Sequence, residues 1–504
     1  MKRGFRFRWL ALFVPALLGA YGYWLVYDGN LLGAIYSSLR MYVLEMDIPE
    51  SEVNVYIQIA RWLAAAATTS VIVMVFQQFF AEIGLRWKLR HDDAVVVHGD
   101  GPHKETVVEA MGKHAIPMSG NTCLDAKKHV LAFEDDMQAI RYLQEHEKKL
   151  LTGRNKQVYF SAYEYEPSDY EQQGLIVSNH AVNCARLYWK EHWLRSGMEQ
   201  KIALIGFGRY AQRLLEQALL VNVIAWREPI EYHVFGDDGE GFRKWYPYLS
   251  NVLAIGQADP QKDSIIFHPD VQEDGIVNLQ MMDRIIIAQD SREENILCLN
   301  KLLRAGLDGN IHVLTDQQLM QQLQYMPERQ RKNGPKEIIV FGDDAELYSA
   351  PVIMHGELSS AAREAHIAYV RKSPAEAIRS KYGSCQGCTR NGLCGDCPQA
   401  ARTWDDLTPF EKASNIASAD HQAVKQALLE QIGQHGGMPA AKKELCRLEH
   451  ERWCRFHYLH NWRYGPKRDD AARLHPSLVP FGDLSEAEQE KDWWAYSALL
   501  GEEA

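Results

Sequence analysis

The sequence predicts an α/β protein held in a membrane by two transmembrane helices. Three observations predict it. Two long uncharged runs lie in the first 90 residues. From about residue 91 to 372, apolar strands alternate with helices, the pattern of a parallel sheet. At the centre of the chain, Lys201–Ala211 (KIALIGFGRYA) reads as a buried strand, a glycine turn and a helix start. The expected segments are a transmembrane hairpin at 1–90, a first sheet lobe at 91–198 and a second at 199–372. A cysteine knuckle at 373–404 follows, then a helical linker with a small, mainly helical module at 405–504. A chain of 504 residues has room for about three domains.

Composition narrows the partners. Hydrophobic residues make up 46% of the chain and the formal charge is −11. Nucleic-acid binders are usually basic, so no nucleic-acid partner is expected. Of nine cysteines, four fall between Cys385 and Cys397. That clustering fits a metal knuckle in a reducing compartment better than a disulfide framework.

The first run, Trp9–Tyr27, has 19 uncharged residues, and the second, Trp62–Ala81, has 20. Either is long enough to cross about 30 Å of hydrocarbon as a helix. Lys2, Arg3, Arg6 and Arg8 precede the first; Arg86, Lys88 and Arg90 follow the second. The positive-inside rule then puts both termini and the soluble domains in the cytoplasm, with the spans in the inner (cell) membrane. Leu31–Met46 is short and amphipathic, fitting a helix on the outer surface or a re-entrant segment. Arg61 is expected to snorkel. Two spans cannot enclose a pore, so any channel requires a homo-oligomer, a dimer or tetramer.

In the first lobe a strand is expected at 94–97, ending in a poor glycine turn, His98-Gly99-Asp100-Gly101, with further strands at 130–133, 158–162 and 175–178. No ligand is expected there. The second lobe is different. Gly206-x-Gly208-x-x-Ala211 follows a strand and opens a helix, which is the context that gives a Rossmann fingerprint meaning. The first glycine makes the turn, the second admits a pyrophosphate, and the small third residue allows helix–strand packing. Arg209 stands at the helix N-terminus, whose amides favour an anion. Asp237 and Asp238 end the next strand, where an acid can hold ribose hydroxyls. They come 29 and 30 residues after Gly208, later than the usual spacing of about 20. Asp290 and Ser291 end a later strand and face the same crevice. Further strands are expected at 231–235, 284–288, 310–314 and 338–341.

Residues 201–316 resemble the TrkA-N or RCK family of cytoplasmic Rossmann domains. The likeness is carried by KIALIGFGRYA, by RIIIAQDSREENILCLNKLLRAG and by IHVLTD. It implies NAD(H) or another adenine nucleotide as ligand, dimerisation, gating of an attached membrane unit, and no catalytic base. A potassium filter of the Thr-Val-Gly-Tyr-Gly type is absent from the sequence.

Cys385-x-x-Cys388-x5-Cys394-x-x-Cys397 places four thiols within 13 residues. One tetrahedral zinc, in a structural role, is the leading expectation. An iron–sulfur cluster and a redox dithiol are the alternatives.

Thr408-Pro409-Phe410-Glu411 is a helix start. Residues 442–458 are expected as a helix whose apolar stripe includes Trp453. Trp462-Arg463-Tyr464-Gly465-Pro466-Lys467-Arg468-Asp469-Asp470 and Leu474-His475-Pro476-Ser477-Leu478-Val479-Pro480 follow it. Residues 444–494 resemble the RyR domain, through EHERW, the W-x-Y-G-P-x-R-D-D turn and the L-H-P-x-L-V-P loop. The resemblance implies a small, nucleotide-type ligand. Trp453, Trp462 and Tyr464 can stack on a base, and Arg463, Arg468 and His475 can meet phosphates. The same aromatics can instead form the core, with Arg468 in an ion pair.

Together these features predict a membrane-anchored ligand sensor or channel-like effector. Nucleotide binding to the Rossmann or RyR-like domains would reorganise oligomeric membrane helices. By family association, bacterial stress or antiviral signalling is the setting. Two alternatives stand beside it: a membrane-tethered NAD(P)-dependent oxidoreductase, for which no Tyr-x-x-x-Lys pair stands out, and a scaffold for protein partners.

Overall fold

The uncharged runs lie within long helices, which keep Pro15 in the first and the hydroxyls of Thr69 and Ser70, bonded back to Ala65 and Ala66, in the second. The computed structural model describes residues 2–500 except 90, 92, 119, 121–122, 153–155, 166–173, 196–197, 270–277, 308, 318, 321–336, 355, 373–403 and 405. The chain divides into two units, Met1–Ala94 and Val95–Ala504.

The first unit holds helices Lys2–Val26, Leu31–Arg40 and Val55–Lys88. Asn30 and Asn54 cap the second and third, each accepting a backbone N–H at 3.0 Å. Asn54 also donates to the Gly22 carbonyl at 2.8 Å, tying the outer helices together. Gly22 makes that approach possible, since a Cβ there would lie 2.7 Å from Ile57. Tyr23, Ala34, Met41, Ile57, Ala60 and Ala64 form the shared core.

Among the described residues one helix is long and apolar enough to span a membrane, over Val55–Gln77. That helix corresponds to the second of the two expected spans. The first helix, Lys2–Val26, has 25 residues, and its apolar part among the described residues is Phe13–Val26. Leu31–Arg40 is not a free surface helix. It buries Ala34, Ser37 and Ser38 against its neighbours. Arg61 pairs with Glu50 at 2.8 Å.

The second unit opens with a five-stranded parallel sheet: β1 Val95–Gly99, β2 Ala115–Pro117, β3 Lys128–Ala132, β4 Gln157–Ala162 and β5 Leu175–Asn179. Its order is β2-β1-β3-β4-β5. A seven-stranded sheet follows: β6 Lys201–Ile205, β7 Glu231–Phe235, β8 Ala254–Ile255, β9 Ser264–His268, β10 Arg284–Ile287, β11 Asn310–Leu314 and β12 Glu337–Phe341. Its order is β12-β11-β10-β6-β7-β9-β8, with every pair parallel. Counted from β6 and leaving aside the short edge strand β8, this is the 3-2-1-4-5-6 order of dinucleotide-binding folds, and the first sheet has the flavodoxin-type 2-1-3-4-5 order. β2, β8 and β9 were not expected.

Both faces of the large sheet are covered, which is why its strands are apolar runs rather than alternating ones. Ile202 and Leu204 face the helix Arg209–Val221. Ala203 and Ile205 face the helix Arg292–Arg304. The first of these cores is continuous through both lobes. Helix His180–His192 supplies Ala181, Cys184, Tyr188 and Trp189 to it, and the C-terminal module adds Leu445, Tyr458 and Trp493.

Candidate functional site at the facing ends of the two sheets

Parallel sheets bind ligands at the carboxyl ends of their strands, where the strand order reverses. In the large sheet that point lies between β6 and β10, so Gly206, Gly208 and Asp290 meet there as expected. Gly206 has φ +90°, and a Cβ on it would lie 2.8 Å from Gln289. A Cβ on Gly208 would lie 2.5 Å from the Asp290 carboxylate. Ala211 is fully buried under the helix. The Tyr210 amide donates to Asp290 at 3.4 Å, and Arg209 Nε lies 3.5 Å from the same carboxylate. The helix N-terminus, expected to receive a ligand's pyrophosphate, thus already faces an anion of the chain's own.

Asp237 and Asp238 sit beside this turn with another task. Asp237 accepts the Gly239 amide at 2.6 Å, and Asp238 the Glu240 amide at 2.8 Å. They shape the loop after β7. Phe207 packs edge-on against Phe267, with ring centres 5.5 Å apart, and makes an aromatic wall on the β7–β9 side.

The first lobe turns its own strand ends toward this crevice. Glu134, after β3, accepts the His103 amide at 2.7 Å, at the start of helix Gly101–Met111. Asp136 accepts the amides of Tyr163, Glu164 and Tyr165 at 2.7–3.2 Å. Arg209 reaches across from the second lobe. It lies 3.4 Å from Glu164, with its guanidinium 5.1 Å over the Tyr163 ring. A cavity of about 490 Å³ opens between Arg209, Tyr163 and the Glu134–Met137 loop.

Beneath it runs a buried polar chain. Ser161 Oγ is 3.0 Å from His180 Nε2 and 3.3 Å from His103 Nε2, and His103 Nδ1 bonds the Tyr163 hydroxyl. Burial pushes the Tyr163 hydroxyl up to about 12 and His103 down to about 4, so both stay neutral at ordinary pH. Tyr348, after β12, packs on His103 and His180. Sequence reading missed this set. Its members come from four separate strand ends and one loop, and nothing in their spacing announces that they meet.

In the C-terminal module, helix Met438–Leu459 carries Trp453 toward His457 and His475, at ring-centre distances of 3.9 and 4.8 Å. Trp462 is 4% exposed and stacks on Phe410 at 5.0 Å. Core packing therefore holds for Trp462 rather than a free stacking platform. Arg468 lies 6.0 Å over Trp462 and pairs with Asp470 at 2.7 Å. Tyr464 and Arg463 are exposed, with Arg463 Nη1 3.4 Å from the Tyr248 hydroxyl.

Residues 434–501 match the RyR domain family. No curated protein matches the chain. Among solved structures, GsuK bound to ADP is similar at 11% identity and a TM-score of 0.29, and the GsuK channel at 10% and 0.30. Each comparison covers 69% of this chain and 96% of the other.

The RyR domain is welded to the second Rossmann lobe. Arg455, 1% exposed, donates to Asp263 at 2.8 Å, and Arg227 pairs with the same carboxylate at 2.9 Å. Asp263 also accepts the Ile230 amide at 2.8 Å. Burial pushes its pKa up, but Arg455 and Arg227 outweigh burial and hold it down at about 2. A second tie lies at the elbow between helices Pro409–Asp420 and Gln422–Gln431. Asp420 accepts from Arg186 of the first lobe and Gln217 of the second, and His421 Nε2 donates to the Val223 carbonyl at 2.9 Å.

Among the described residues no group of three or more side chains could hold a metal. The expected ligands Cys385, Cys388, Cys394 and Cys397 lie outside the described residues.

Proposed function

We propose that this protein is a membrane-anchored sensor in which a nucleotide-type ligand binds the crevice at Gly206 and Gly208 and changes the contact between the two Rossmann lobes. One observation carries the reading: Arg209 stands at the glycine turn and also grips Tyr163 and Glu164 of the other lobe. A phosphate at the helix N-terminus would compete for Arg209 and repel Asp290. Both effects act on the lobe–lobe contact, giving the ligand the preference for one state that any switch requires. The rigid tie at Asp263 would carry that change to the RyR domain.

In this reading the apolar Val55–Gln77 helix sits in the cell membrane, the second unit is cytoplasmic, and a homo-oligomer is gated or reorganised. NAD(H) or another adenine nucleotide is the ligand class. The RyR residues Trp453, Arg463, Tyr464, Arg468 and His475 form a second contact surface for it, and the four-cysteine segment holds a structural zinc. The test is thermal unfolding of the detergent-solubilised chain with and without ADP or NADH. A ligand-dependent rise in Tm that disappears in Gly208→Val supports the proposal. No rise with any adenine nucleotide, or an equal rise in Gly208→Val, sinks it. Zinc analysis of the same preparation should return about one atom per chain.

A further inference from the structure

The RyR domain closes on a second buried polar cluster, which borders the aromatic face where His450 stacks on Trp453. Glu449 lies at its centre. It accepts from Arg452 at 2.6 Å and from Lys425 at 3.0 Å, all three residues being buried. Around them, Arg452 Nη1, Tyr496 Oη, His421 Nδ1 and Asp492 Oδ2 are buried with no hydrogen-bond partner. Unpaired buried polar atoms are rare in native proteins, so this group calls for an explanation.

The geometry around Asp492 supplies one. His450 Nε2 lies 2.8 Å from the Val479 carbonyl. A carbonyl only accepts, so Nε2 carries the hydrogen, and in the neutral ring Nδ1 is left with a lone pair. That lone pair faces Asp492 Oδ2 at 3.7 Å. An ionised Oδ2 there would set two acceptors against each other. We infer that Asp492 carries a proton on Oδ2, the oxygen facing His450 Nδ1, and that the last helix of the RyR domain, Glu486–Leu500, is docked tightly when this proton is present and more loosely when it is lost.

The surrounding charges agree. Glu449, from the helix that carries His450, and Glu488, from Asp492's own helix, disfavour a charge on Asp492, while Arg452 and Lys425 favour one. Cys446, Cys454 and Tyr496 also lie within its field, and all three stay protonated because burial pushes them up. Burial is the largest influence on Asp492, which is pushed up to about 7, while burial holds His450 below its usual value. An acid whose folded pKa is raised contributes stability that is complete below its unfolded value of 3.8. That stability fades as pH rises through about 7.

The test compares the full chain with Asp492→Asn, whose amide can donate to Nδ1 as the protonated acid does. Histidine titration elsewhere is common to both proteins and cancels. The Tm of Asp492→Asn relative to wild type should climb by several degrees between about pH 5 and about pH 7.5 and then level off. A difference that is constant across that range overturns the inference. Should the variant not fold, isotope-edited infrared spectra of the wild-type aspartates decide it. A protonated aspartate at about pH 6 that is lost by about pH 8.5 is expected, and its absence at about pH 6 overturns the inference.

Discussion

Arg186 Nε and Asp420 Oδ2 are 2.8 Å apart although 234 residues separate them in the chain. Arg186 belongs to the helix that closes the first lobe, and Asp420 to the elbow that leads into the RyR domain. Both are largely buried, and Gln217 of the second lobe donates to the same carboxylate at 2.9 Å. Three parts of the fold therefore meet on one acidic side chain. Arg186→Ala should destabilise the protein by about 2–3 kcal/mol, the usual loss for a hydrogen bond to a charged group. A double-mutant cycle with Asp420→Ala should show coupling of at least about 1 kcal/mol in denaturant unfolding. Additive losses would mean that the pair is incidental.

Asp290 occupies the place where the crevice would receive a phosphate. Asp290→Asn keeps the shape of that side chain and removes its charge. Affinity for ADP should rise about tenfold, corresponding to about 1.4 kcal/mol. Isothermal titration of the two proteins measures it. Weaker binding in Asp290→Asn would instead make Asp290 a ligand contact.

The two aromatics of the W-x-Y turn should behave differently. Trp462 is buried on Phe410, and Trp462→Ala should cost about 3–5 kcal/mol in unfolding free energy. Tyr464 is 57% exposed, and Tyr464→Ala should change stability by less than about 0.5 kcal/mol. Any effect of Tyr464→Ala on nucleotide titration then reports ligand contact alone.

The first lobe should weaken in acid. Burial holds His98 down at about 3, and His103 and His129 at about 4. A base whose folded pKa is lowered supports the fold above its unfolded value of 6.5 and loses that support as pH falls toward the folded value. Hydrogen exchange of β1, β3 and β4 should therefore speed up between about pH 6.5 and about pH 4 relative to intrinsic rates. Unchanged protection would contradict the buried neutral state of these rings.

The welded contact at Asp263 gives a sharper stability test. Arg455→Met leaves Asp263 with Arg227 alone and Glu451 with Arg447 alone. Breaking a buried pair on one side typically costs about 3–5 kcal/mol. The second Rossmann lobe and the RyR domain should then melt in separate transitions in calorimetry. One transition at an unchanged Tm would show that the apolar packing suffices.

Much of the architecture was legible because local chemistry fixes it. Ile202–Ile205 is an unbroken apolar run, and only a strand covered on both faces needs one. Gly206, Gly208 and Ala211 declare their turn because only small residues fit it. The expected bounds 231–235 and 310–314 are those of β7 and β11. The strand SIIFH at 264–268 went unread, since the helix in the crossover before it, Glu240–Trp245, is only six residues long and shows no clear helical period. Asp237 and Asp238 looked like ribose ligands because a strand-end acid can serve either a sugar or its own turn. The sequence does not say which.

The sequence by itself determined the repertoire: strands, glycine turn, helix caps and the RyR domain, each dictated by residues near one another in the chain. Tertiary structure alone decided which ends meet. The strand order turned the two sheets' carboxyl edges toward each other, placed Arg209 over Tyr163, and set Asp290 against Gly208. It also brought Arg455 to Asp263 and Asp492 to His450. Burial and charge pairing depend on the distance between side chains in space, and for residues tens to hundreds of positions apart only the folded chain fixes that distance.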